Sequence, residues 1–112
     1  MEGEQDFEVT RRDVVGGGIV VAPRGEIDLA TVDEVRAVLA EASENGGVVY
    51  LDLRGVTFID SAGVRLVVEG ARDLQAKQGE LVVVRGGPEV TRVFNLVGLD
   101  GRVRMVDALP DE

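Results

Sequence analysis

Apolar residues recur along this chain with two different periods, and the switches between them mark out the elements. Phe7 and Val9 alternate with charged neighbours and lead through Val14-Val15 to Gly16-Gly17-Gly18, after which Ile19 to Ala22 is again apolar and β-branched. Strand patterns on both sides of a glycine turn predict a hairpin. Pro23 has no N–H to give to a ladder and is expected to close the second strand or lie at its edge. Val32, Val35, Val38, Leu39 and Ala42 then fall on one stripe at helical spacing. Thr31-Val32-Asp33-Glu34 has the spacing of a capping box, in which Thr31 accepts from the backbone at Glu34 and the acids suit the dipole. Asn45-Gly46-Gly47 supplies a left-handed exit, so a helix is predicted over about 32–45.

Val48 to Leu53 is short, β-branched and mostly apolar, the pattern of a strand covered on both faces in a parallel sheet with crossover helices. Arg54-Gly55 interrupts it. After Val56-Thr57-Phe58-Ile59, the segment Asp60-Ser61-Ala62-Gly63 opens a second helix with Val64, Val67, Val68, Ala71 and Leu74 on its apolar stripe, and Gly79 is expected to stop it. Gly70 inside this helix costs roughly 1 kcal/mol relative to Ala, which points to close packing against a neighbour. Leu81 to Val84 forms a further buried strand. Pro88 at a first helical position, followed by Val90, Val93, Phe94 and Val97 and stopped at Gly98, gives a short third helix, and Val103 to Val106 gives the last strand. The order β-β-α-β-α-β-α-β implies an α/β domain with an N-terminal hairpin, a largely parallel sheet and right-handed crossovers. Only the first few residues and Leu109 to Glu112 are expected to be loose.

Composition narrows the chemistry. A chain of 112 residues suits one domain, and its formal charge of −9 opposes any general attraction to nucleic acid or anionic lipid. A basic or cationic partner is the better expectation. There is no Cys and no His, so Ser-His-Asp hydrolysis and structural zinc are excluded, and no catalytic, cofactor-binding or metal-binding residue is assigned. Met1 to Thr10 is acidic without a basic leader or an apolar core, and no long apolar run follows, so a soluble, cytoplasmic protein without membrane contact is expected. Gly16-Gly17-Gly18 lacks a following Lys-Ser or Lys-Thr and precedes a strand, which fits a flexible turn rather than a phosphate loop.

Serine occurs only at positions 43 and 61. Ser61 sits at a strand-to-helix junction, where its hydroxyl could cap the helix for about 1 kcal/mol. The same geometry exposes the side chain, and a phosphate added there would face unpaired backbone N–H groups and the positive end of the dipole. Asp28 and Asp60, at strand ends, are candidate turn formers and caps. They could equally form an acidic rim around Ser61 that meets basic residues on a partner, with Ala62, Gly63, Val64 and Arg65 as further contact surface.

Gly25-Glu26-Ile27-Asp28, Val49-Tyr50-Leu51-Asp52-Leu53, Phe58-Ile59-Asp60-Ser61-Ala62-Gly63, and Pro88-Glu89-Val90 with Arg92-Val93-Phe94 and Gly98-Leu99 together resemble a STAS domain. That fold is shared by bacterial anti-sigma factor antagonists and the cytoplasmic tails of sulfate transporters. The resemblance covers about residues 18–107 and implies a single STAS domain over 1–112 with its core at about 6–107. It implies Ser61 as phosphoacceptor and places Asp28 at the end of the Gly-Glu-hydrophobic-Asp motif. It further implies that the unphosphorylated chain binds an anti-sigma factor that is itself a serine kinase, freeing the sigma factor. Phosphorylation of Ser61 would break that complex and a PP2C-type phosphatase would restore it. Two departures stand out: Ala62 replaces a frequent second Ser or Thr, and the family's last helix is short or missing after Val103 to Val106. A partner or a second copy is expected to cover the sheet there. The alternatives are a STAS scaffold or accessory subunit of a signalling or transport complex that never switches, and a small α/β enzyme or receiver-like phospho-Asp protein. A receiver needs a Lys near its last strand, and the only Lys, Lys77, lies at the end of the middle helix.

Overall fold

Residues 7–112 are described by a computed structural model, in which the period-two stretches pair into one mixed sheet and the helical stretches cover it. The order is β1 (Glu8–Asp13), β2 (Ile19–Ile27), α1 (Val32–Ala42), β3 (Val48–Asp52), β4 (Val56–Ile59), α2 (Ser61–Ala76), β5 (Glu80–Val84), α3 (Pro88–Leu96) and β6 (Arg104–Val106). The strands lie in the order β1-β2-β3-β5-β6, with β4 also paired to β2. β1 runs antiparallel to β2 and the other pairings are parallel. The expected α/β architecture is therefore present. The first residues, expected to be loose, lie outside the described residues up to position 6.

The glycine turn closes the hairpin as expected. Gly16, Gly17 and Gly18 all take positive φ, at 96°, 121° and 103°, a region that side chains disfavour, and the Val14 N–H donates to the Gly18 carbonyl at 2.9 Å.

Pro23 does not close β2. The strand pairs with β3 over Ile19 to Val21 and with β4 over Gly25 to Ile27. Pro23 falls between the two, where β2 changes partner and neither neighbour needs an N–H from it. The same change of partner makes Val56–Ile59 a sixth strand, absent from the expected order. Four residues with Thr57 and Phe58 both exposed carry no alternation from which a strand could be read.

The capping box at α1 is also absent. Thr31 occupies the N-cap position, but its hydroxyl donates to the Glu26 carbonyl at 2.7 Å and accepts from the Asp28 N–H at 3.0 Å. The Glu34 N–H is left to the Thr31 backbone carbonyl, at 3.1 Å. The helix ends at Ala42, earlier than expected, and the left-handed exit is made by Gly46 and Gly47 at φ 71° and 77°.

Packing divides into two clusters on the two faces of the sheet. The larger joins Val21, Val49, Leu51, Leu81 and Val83 of the strands to the buried residues of all three helices. β3 was expected to be covered on both faces, and it is: Val49 and Leu51 join the cluster that holds the helices, and Tyr50 packs against the second cluster. Gly70 marks a close contact between α2 and α1, since a Cβ there would lie 2.9 Å from Leu39 Cδ2 on α1.

The opposite face holds Val14, Val20 and Val84 with Ala22, Tyr50 and Val106, and it is closed by Leu109. Leu109 to Glu112 is therefore not loose, and the sheet near Val103 to Val106 is covered by the chain itself. Two forks hold this segment down. Arg12 donates to both carboxylate oxygens of Asp111 at 2.9 and 3.2 Å, and Arg54 to both of Glu112 at 2.8 and 2.7 Å. No helix forms over residues 107–112.

Candidate functional site

Ile27 and Ile59 are register partners on the parallel strands β2 and β4, so the residues after them, Asp28 and Asp60, leave the sheet side by side. The Asp60 N–H extends the pairing by donating to the Ile27 carbonyl at 3.2 Å. Each acid then shapes the loop that follows it. Asp28 Oδ1 accepts from the Ala30 N–H at 2.9 Å, and the Asp28 carbonyl accepts from the N–H groups of Thr31 and Val32. With the Thr31 hydroxyl anchored on Glu26, this fixes the turn and lifts Leu29 into solvent, 81% exposed.

Asp60 is the N-cap of α2. Its backbone is extended, and its Oδ1 accepts from the N–H groups of Ala62 at 2.9 Å and Gly63 at 3.4 Å. Ser61 is therefore the first helical residue and not the cap. Its side chain is exposed, and its hydroxyl enters no hydrogen bond among the described residues. Ser43, the other serine, is buried and donates to the Leu39 carbonyl at 2.6 Å.

Of the remaining expected contact residues, Arg65 is exposed and Val64 half-buried, but Ala62 and Gly63 are buried. A Cβ on Gly63 would overlap Ile59 Cγ1 and press on Ile27 Cγ2 at 3.0 Å. The small residues at 62 and 63 thus serve the seating of α2 on the sheet and offer no side chain to a partner. Two exposed apolar residues not anticipated from the sequence adjoin these acids in the chain: Leu29, next after Asp28, and Phe58 on β4, two before Asp60 and 47% exposed. Leu29 could have been found, because it is a large apolar residue standing outside every periodic run.

The arrangement is a serine presented at a helix start, two carboxylates engaged with backbone, one cation a helical turn on, and exposed apolar residues next to the acids in the chain. A groove of about 260 Å³ between α1 and α2, lined by Leu39, Ser43, Glu69, Asp73 and Lys77, does not reach Ser61. No cluster of metal-ligating residues occurs among the described residues. Such an arrangement suits recognition by a protein surface.

The sequence profile of the STAS domain matches residues 6–111. The chain belongs to the STAS domain family. An anti-sigma F factor antagonist of Lysinibacillus sphaericus is 34% identical to this STAS domain over 83 residues, 72% of this chain and 71% of the relative. Among solved structures, an anti-sigma factor antagonist from Mycobacterium paratuberculosis superposes with a TM-score of 0.84 at 26% identity, covering 95% of this chain and 90% of the other. The Bacillus cell fate determinant SpoIIAA in its phosphorylated form gives a TM-score of 0.69 at 28% identity, covering 94% and 93%. Among the described residues, no helix of this STAS domain is long and apolar enough to cross a membrane.

Proposed function

We propose that this STAS domain is an anti-sigma factor antagonist controlled by phosphorylation of Ser61. Unphosphorylated, it binds an anti-sigma factor that is a serine kinase, and the sigma factor is freed. The kinase modifies Ser61 and the complex breaks; a PP2C-type phosphatase removes the phosphate and restores it. The protein acts as a cytoplasmic regulator without catalysis of its own, and its contact surface comprises Asp28, Asp60, Ser61, Val64 and Arg65.

The observation that carries this reading is the division of labour at the start of α2. Because Asp60 provides the cap, the Ser61 hydroxyl is free to accept a phosphoryl group without disturbing the fold. A phosphate there adds about −1.5 to −2 charges beside Asp60. A shift of about 3 kcal/mol in partner affinity is more than a hundredfold, and one charged group at an interface can supply it. The names of the relatives support the same reading.

The test is co-purification from the protein's own cells with tagged Ser61→Ala and Ser61→Asp chains. The alanine form is expected to retain a kinase that the aspartate form loses while staying folded. Equal recovery of that kinase with both would count against the switch and favour a non-switching scaffold.

A further inference from the structure

Ser61 and Arg65 stand one helical turn apart at the start of α2, both exposed. Residues four apart share a helix face. Every Cα–Cβ bond also tilts toward the helix N-terminus, so a long side chain at the later position leans over the earlier one. The other candidate partner for Arg65 on this face is Glu69, one further turn on. That carboxylate is already taken: Arg36 of α1 reaches Glu69 Oε1 at 3.1 Å while holding Asp33 at 2.8 Å. Arg12, Arg36, Arg54 and Arg85 all hold carboxylates, whereas Arg65 enters no ion pair among the described residues. In a chain of net charge −9, Arg65 stands one helical turn from the exposed serine.

We propose that Arg65 is the intramolecular receiver of the phosphate on Ser61, a proposal that rests on the reading of Ser61 as phosphoacceptor. A guanidinium presents a planar fork that matches two phosphate oxygens. Closing that fork has two effects. The dianion is stabilised next to Asp60 and Asp28, which oppose it. The positive charge of Arg65, open to a partner in the unmodified chain, is withdrawn. Modification thus changes two charges of the rim at once.

The charged groups that the fold brings to this junction are Asp60, Asp28 just after β2, and Arg65 one turn along α2; Asp33, at the start of α1, is held by Arg36. The carboxylates raise the second pKa of a phosphoserine from its ordinary value near 6, while Arg65 and the helix N-terminus lower it. The test uses the full chain with phosphoserine installed at position 61 during translation, followed by ³¹P NMR across pH. Relative to the parent, Arg65→Gln is expected to raise the phosphate's second pKa by about half a unit, the scale of an exposed ion pair. Arg65→Lys should raise it less, and about 1 M salt should erase the difference. An unchanged value in a folded Arg65→Gln chain would overturn the role of Arg65 even if the phosphate still releases the partner. Conversely, a phosphoserine chain that binds the kinase as tightly as the unmodified one would sink the switch and leave the Arg65 result standing.

Discussion

Asp60 and Ser61 are adjacent and chemically similar as caps, yet the structure gives the capping bond to one and solvent to the other. The consequence is measurable by urea denaturation. Asp60→Ala is expected to cost about 1 kcal/mol, the usual value of a side-chain cap, whereas Ser61→Ala should change stability by less than about 0.5 kcal/mol. The opposite ranking would return the cap to Ser61 and weaken its availability as an acceptor. Gly63 supplies the second residue-scale test. A methyl group there meets Ile59 and Ile27 in the core, so Gly63→Ala should cost about 1–3 kcal/mol despite the better helix propensity of Ala. The sequence placed a cap at this junction but left its owner open, because the choice depends on which residue takes extended backbone. Ala62 and Gly63 read from the sequence as small residues that allow close backbone approach by a partner or ordinary packing, and their burial shows that they pack.

Among the elements, the helices were the most legible. Their existence, the Pro88 start and the Gly98 exit follow from local pattern and backbone chemistry. By contrast, α2 is left through Gln78 at φ 63° rather than through Gly79, and it buries Leu66 and Gly70 while Val64, Val68 and Ala71 of the expected stripe are half-buried. What escaped depended on distant neighbours. β4 exists because β2 is long enough to serve two partners, and Pro23 is tolerated inside β2 because it sits at the change between them. The segment 109–112 was expected to be loose because nothing local orders it; its anchors, Arg12 on β1, Arg54 in the turn between β3 and β4, and the apolar face behind Leu109, are far away in sequence. Leu109→Ala is expected to cost about 2 kcal/mol, at the low end for a buried leucine because the segment can settle into the gap. The hydrogen bonds from Arg12, and then from the Val15 N–H, lower the Asp111 pKa from 3.8 to about 2. Glu112 is lowered in the same sense by Arg54 and the Leu109 N–H. A carboxylate held lower in the folded state stabilises above its unfolded value and loses that contribution as pH falls through the folded one. The melting-temperature gap between the parent and Asp111→Asn should therefore be constant near neutrality and close as pH falls from about 4 to about 2. A gap that persists at the acid end would show that the fork does not hold the segment.

At the scale of the whole molecule, the formal charge of −9 opposes nonspecific attraction to polyanions, and the proposed function makes the rim around Ser61 the place where a single modification alters recognition. The rim itself was legible because the Asp-Ser step lies at a strand-to-helix junction. Leu29 could be picked out as a large apolar residue outside every periodic run, whereas the exposure of Phe58 could not, since it depends on how the short β4 faces solvent. Association with a basic kinase surface should slow as salt rises, with Asp28→Asn reducing that salt dependence; stopped-flow rates that ignore ionic strength would argue against an acidic contact surface. The central claim, that Ser61 is where the protein is switched, is tested most directly by intact-protein and peptide mass spectrometry on the chain purified from its own growing and stressed cells. A fraction carrying one phosphate that maps to Ser61 is the predicted result. Complete absence of phosphate from Ser61 under both conditions would contradict it.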